Sequence, residues 1–91
     1  MAKRTIILSP AWRPLVGGSR HAEVEGETVG AMLQSLAATH PQLRDRIFVG
    51  GEIHPGVLVF VGDTEARNLQ GLATPLPADR EVRIMTAIAG G

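Results

Sequence analysis

The chain has 91 residues, enough for one domain with a modest core and too few for a deep active-site cleft. Nine Lys and Arg balance nine Asp and Glu, so no net field favours nucleic acid or an acidic membrane. There are no cysteines, which removes disulfides, thiolate catalysis and cysteine-based zinc sites together. The aromatic residues are Trp12, Phe48 and Phe60, with no Tyr, so the core must be aliphatic and base-stacking platforms are not expected.

Met1-Ala2-Lys3-Arg4 starts the chain with charge, but the apolar run behind it, Ile6 to Leu8, is too short for a signal sequence or a membrane span. A cytoplasmic protein is expected. Thr5-Ile6-Ile7-Leu8, closed by Ser9-Pro10, predicts a first strand. Arg13-Pro14 and Gly17-Gly18 read as turn chemistry. His21 to Glu25 alternates and stops at Gly26, which predicts a second strand paired as a hairpin with the first. A helix follows. Thr28 is placed to cap it, and Val29, Met32, Leu33, Leu36 and Ala37 form one apolar stripe at helical period. Pro41 ends it, because a residue before proline is pushed out of the α region.

Leu43 to Ile47 reads as a short second turn, followed by a loop containing Gly50-Gly51 and Pro55-Gly56. Val57 to Val61 is a nearly continuous apolar strand bounded by Gly56 and Gly62-Asp63, a pattern of strands covered on both faces or used at an interface. Asn68 to Pro77 reads as irregular, with Leu69, Leu72 and Leu76 as anchors. Asp79-Arg80 turns into a last strand over Glu81 to Thr86. The order, a hairpin, one crossover helix and a return to the sheet, describes an α+β protein with a β-grasp fold. It predicts a mixed sheet, one main helix packed on one face, and the first and last strands parallel at the centre.

Internal chemistry is poorly supported. His21, His40 and His54 lack metal-site spacing, and Glu23, Glu25 and Glu27, at period two, read as a solvated face. Gly17-Gly18 lacks the strand, helix and Lys of a phosphate loop, and no Ser, His and Asp constellation stands out. No catalytic residue, metal or bound cofactor is expected. The sequence ends in Ala87-Ile88-Ala89-Gly90-Gly91, and this end carries the chemistry. A glycine carboxylate has no Cβ to shield its carbonyl carbon, and adenylation would supply the leaving group that a carboxylate lacks. From Thr86 an extended tail spans about 20 Å, enough for Ala89 and Gly90 to thread a partner's channel and deliver Gly91.

Strand alternation predicts where that partner docks. If Val82 and Ile84 face the helix, Arg83 and Met85 face away. By the same alternation Ile7, Leu58 and Phe60 face away too. An open sheet face carrying Ile7, Leu58, Phe60 and Met85 is the expected partner surface.

The order of elements, this patch, the end Val82-Arg83-Ile84-Met85-Thr86-Ala87-Ile88-Ala89-Gly90-Gly91 and the run Gly71-Leu72-Ala73-Thr74-Pro75-Leu76 leading to Asp79 resemble the MoaD/ThiS family of ubiquitin-like sulfur carriers. The resemblance covers essentially the whole chain, read as one domain over 1–91 with a flexible tail over 87–91. Arg13-Pro14, Gly17-Gly18 and Phe60-Val61-Gly62-Asp63 are most similar to its CysO-like branch. The resemblance implies a carrier, not an enzyme. An E1-like adenylyltransferase would use ATP to activate Gly91, a sulfur donor would make the thiocarboxylate, and a downstream biosynthetic enzyme for cysteine, thiamin or a sulfur-containing natural product would take the sulfur. It also places Met85 at the family's apolar contact position. Two alternatives stay open: the small subunit of a molybdopterin synthase, and a ubiquitin-like modifier joined through Gly91 to lysines.

Overall fold

The computed structural model describes residues 3–86. Ala89, Gly90 and Gly91 lie outside the described residues. β1 (Lys3–Ile7) and β2 (His21–Glu25) pair antiparallel, with Ile6 opposite Ala22 and Ile7 opposite His21. α1 (Val29–Thr39) crosses over the sheet and is followed by a 3-10 turn, Pro41–Leu43, and the short α2 (Arg44–Ile47). β3 (Phe48–Val49) and β4 (Glu52–Ile53) make a separate hairpin. β5 (Val57–Val61), β6 (Thr64–Glu65) and β7 (Val82–Thr86) complete the main sheet, whose strand order is β2-β1-β7-β5-β6. β1 and β7 are parallel at its centre, and β5 runs antiparallel to β7. This is the β-grasp topology that the element order predicts.

One face of the sheet is buried under α1. Ile6 and Leu8 from the first strand, Val59 from β5 and Ile84 from β7 are fully buried, and so are Val29, Met32, Leu33 and Leu36 from the helix. The helix stripe read from the sequence is thus turned onto the sheet, and burial of each large aliphatic side chain stabilises the fold by roughly 1.5–3 kcal/mol relative to exposure. The helix start is tied down on two sides. Thr28 Oγ1 accepts from Ala31 N at 3.2 Å, as predicted from its capping position,. Val29 N donates to Thr74 O at 2.9 Å, and Leu76 N donates to Glu27 O at 3.0 Å. The segment Thr74–Leu76 therefore acts as a strap over the helix N-terminus, satisfying an amide that the helix itself leaves orphaned. Arg4 secures the strap to β1 by donating to Pro77 O at 2.7 Å.

Three local expectations are corrected. The stretch read as turn chemistry around Arg13-Pro14 is a 3-10 helix, Pro10–Val16, that ends on Gly17 at φ 73°. Ser9 caps it, accepting from Ala11 N at 3.3 Å, and Trp12 from this helix joins the core at 3% exposure. The loop expected at Gly50-Gly51 is the turn of the β3–β4 hairpin, both glycines having positive φ (60° and 81°) as a two-residue turn of the primed type requires,. In the stretch expected to be irregular, Asn68 to Pro77, a 3-10 turn forms at Gly71–Ala73, and another, Ala66–Asn68, runs into its first residue. Its anchors divide: Leu72 and Leu76 pack against the core, whereas Leu69 is 47% exposed. Leu69 lies with Gln70 between the two turns.

Among the described residues no helix is long and apolar enough to cross a membrane.

Two substitutions test the helix placement. Leu33→Ala should cost about 2–5 kcal/mol, read from denaturant unfolding, because Leu33 is fully buried,. Gly26 has φ 142°, and a Cβ built there would stand 2.6 Å from Met32 N and 2.8 Å from the Ala31 carbonyl carbon. Gly26→Ala must therefore displace helix backbone, and a melting temperature equal to wild type would show that α1 does not press on this turn.

Candidate functional site

The face of the sheet opposite α1 is built by the alternate residues of each strand. Ile7, Leu58, Phe60, Arg83 and Met85 are all half-buried, each next to a buried residue of its own strand. The pleat thus places the four predicted interface residues together on the open face, as alternation requires.

Register arranges them in two rows. Leu58 stands directly opposite Met85 across β5 and β7. In the adjacent row Ile7, Arg83 and Phe60 are consecutive partners across β1, β7 and β5, and Glu65 of β6 follows Phe60. Directly opposed side chains on one face are close enough to interact, so the four apolar groups form one patch around Arg83. The guanidinium carbon of Arg83 lies 5.4 Å from the centroid of the Phe60 ring, within cation–π range,. Polar residues occupy the other end of this face. Lys3, Thr5, Glu23 and Glu81 are exposed there and Glu25 is half-buried, with Lys3 opposite Glu25 and Thr5 opposite Glu23.

The apolar end is the end at which β7 finishes. Thr86, the last described residue, shares a hydrogen bond of 3.0 Å between its Oγ1 and the Oγ of Ser9, which is itself 1% exposed. Ser9 is fixed in turn as the cap of the Pro10–Val16 helix, and Arg13 donates to Leu8 O at 3.1 Å beside it. The point from which residues 87–91 continue is therefore anchored to the core next to Met85. Sequence reasoning missed Ser9 and Trp12. Ser9-Pro10 is a strand-closing dipeptide, but equally an N-cap followed by proline at the first helical position, and that second signal could have found them.

Among the described residues no three His, Asp or Glu side chains come together as a possible metal site. His54 is engaged in its own turn, its Nδ1 accepting from Gly56 N at 2.9 Å. A groove of about 490 Å³ lies at the far end of the sheet from Thr86, lined by Val61, Thr64, Leu69, Pro75 and Arg80 together with Gln70, Thr74 and Pro77. None of these is a carboxylate or imidazole, so the groove offers no general base.

Residues 11–91 match the ThiS family. The chain is 31% identical over 90 residues to the sulfur carrier protein CysO of Mycobacterium tuberculosis, covering 96% of this chain and 97% of that protein. It is 38% identical over 64 residues to small archaeal modifier protein 3 of Haloferax volcanii, covering 70% of each. Its fold superposes on a chain of the Amycolatopsis orientalis BexX/CysO complex with a TM-score of 0.84 at 25% identity, covering 96% of this chain and 98% of that one. With a β-grasp sheet open on one face and a family match that runs to Gly91, the chain belongs to the ThiS family of ubiquitin-like proteins.

Proposed function

We propose that this protein is a sulfur carrier that works through the α-carboxylate of Gly91. The observation that carries the reading is the family match, which extends through the diglycine end, on a chain similar over nearly its full length to a sulfur carrier protein.

The chemistry follows from the carboxylate. Its oxygen is a poor leaving group, so an E1-like adenylyltransferase first joins it to the adenylyl group of ATP and releases pyrophosphate. A sulfur nucleophile then attacks the carbonyl carbon and displaces AMP. The resulting thiocarboxylate donates its sulfur to a biosynthetic enzyme. ATP belongs to the partner, and the carrier contributes a reactive end and a surface to hold it by. The absence of a side chain at Gly90 and Gly91 lets the end enter a narrow channel, while Ile7, Leu58, Phe60 and Met85 form the docking patch beside its root. A downstream sulfur-accepting enzyme is the second partner, and the same patch serves both encounters in turn. The protein acts as a co-substrate and not as an enzyme.

Two experiments test this. Deleting Gly90 and Gly91 should leave the melting temperature nearly unchanged and abolish ATP-dependent pyrophosphate release by the adenylyltransferase of the same organism. Activation of the truncated chain at the wild-type rate would sink the reading. Intact-mass measurement of untagged protein from cells should show a population heavier by the difference between sulfur and oxygen. Lysine-linked adducts in its place would indicate a protein modifier.

The docking patch is tested separately. Met85→Asp should keep the fold, because Met85 is on the open face, and should weaken binding to the adenylyltransferase by about 30-fold, the scale of an interface hot spot. Ile84→Asp, one residue earlier and fully buried, should fail to fold. If the two variants melt alike, the inside–outside assignment of β7 is wrong.

A further inference from the structure

Among the described residues Arg83 is the one Arg or Lys within the apolar end of the open face, and the fold leaves it incompletely satisfied. Its Nε is buried and makes no hydrogen bond among the described residues. Glu81 Oε1 stands 3.6 Å from that nitrogen, too far for a hydrogen bond, and the Glu81 side chain is 62% exposed. The Arg83 side chain retains 40% exposure, although Ile7 and Phe60 flank it on the neighbouring strands. A charge partly withdrawn from water with a loose, solvated counterion gains from a better acceptor.

The chemistry of that acceptor is restricted. The Phe60 ring, 5.4 Å from the guanidinium carbon, holds the planar group against the sheet. A planar fork of donors matches a carboxylate in bidentate geometry. The apolar groups around it would exclude water once a partner is seated, which strengthens such a pair. The patch also adjoins Thr86, the last described residue, three positions after Arg83 on the same strand, so a protein that takes up the end of the chain would dock close to Arg83.

We propose that Arg83 is the specificity-determining residue of the docking face, receiving the carboxylate of an Asp or Glu side chain that the adenylyltransferase presents at the centre of an apolar contact. The inference rests on the sulfur-carrier reading and names the chemistry of its partner surface. Glu81 acts as the stand-in for that carboxylate in the free protein and is displaced on docking. A protein that presents a neutral or basic side chain there leaves Arg83 buried and unpaired, and is rejected.

The test measures binding of wild type, Arg83→Met, Arg83→Lys and Arg83→Glu to the adenylyltransferase of the same organism, each at low and physiological salt, with a melting curve for each. Arg83→Met keeps the apolar stem and loses the charge. It should bind about tenfold or more weakly and lose much of the wild-type salt dependence. Arg83→Lys should remain salt-dependent and weaker than wild type, since an ammonium cannot reproduce the fork. Arg83→Glu should bind most weakly, and all three should melt close to wild type. Salt dependence is the readout that a merely structural role would not move. Binding by Arg83→Met as tight as wild type, or with the same salt dependence, overturns this proposal alone. Absence of binding and of ATP-dependent activation with the wild-type protein overturns the sulfur-carrier reading, and the proposal with it.

Discussion

Parallel pairing of β1 with β7 at the sheet centre is the constraint from which the remaining geometry follows. Parallel neighbours cannot be joined by a tight turn, so the chain between them must cross a face of the sheet. The crossing element is α1, whose fully buried Val29, Met32, Leu33 and Leu36 close over Ile6, Leu8, Val59 and Ile84. With one helix of that length available among the described residues, only one face is covered. The other face is left open by topology, and the last strand is held between β1 and β5 instead of at an edge. A central strand is the most firmly held place from which to extend a reactive end, because both of its sides are hydrogen-bonded.

The strap and the 3-10 helix make this arrangement cohere. Thr74–Leu76 holds the N-terminus of α1 through backbone bonds to Val29 and Glu27, and Arg4 joins that strap to β1. At the opposite end of the sheet, Ser9 joins the Pro10–Val16 helix to Thr86. Each tie links residues more than forty positions apart, so each depends on the central pairing having formed. The turn at Gly26 belongs to the same device: the close approach of its backbone to Ala31 and Met32 fixes how steeply the chain leaves β2 for the helix.

The main elements were legible because their signals are periodic. The stripe from Val29 to Ala37 and the alternation in Val82 to Met85 state which side faces inward, and five-residue strands leave little room for a slipped register. Short elements were harder for a different reason. Ser9-Pro10 and Gly17-Gly18 fit a turn and a capped 3-10 helix equally well, and only the burial of Trp12 separates the two. Gly50-Gly51 carries a hairpin signal, but strands of two residues are too short to show alternation. Leu69 looked like an anchor by composition, and its exposure is set by the packing of 3-10 turns that no local pattern announces. At the candidate site, alternation was enough to collect Ile7, Leu58, Phe60 and Met85. What it could not supply was cross-strand register, which sets Arg83 between Ile7 and Phe60.

That register bears on how a carrier would serve the two enzymes of the proposed scheme. It must hold its partner firmly enough to place a carboxylate in an active site, then leave for the next partner. A few half-buried apolar side chains are far less than the ~20–30 residues a side of a standard stable interface, so the patch favours a short encounter on apolar contact alone. A charged centre adds discrimination with little permanent adhesion: pairing a partly desolvated Arg83 rewards the right partner, and leaving it unpaired penalises a wrong one. The loose contact to Glu81 keeps the free state from becoming an uncompensated charge, and because Glu81 is mostly solvated its displacement costs little. On the proposed reading the apolar rows supply contact area and Arg83 supplies selectivity. Both arise from one pleated surface that the helix never covers.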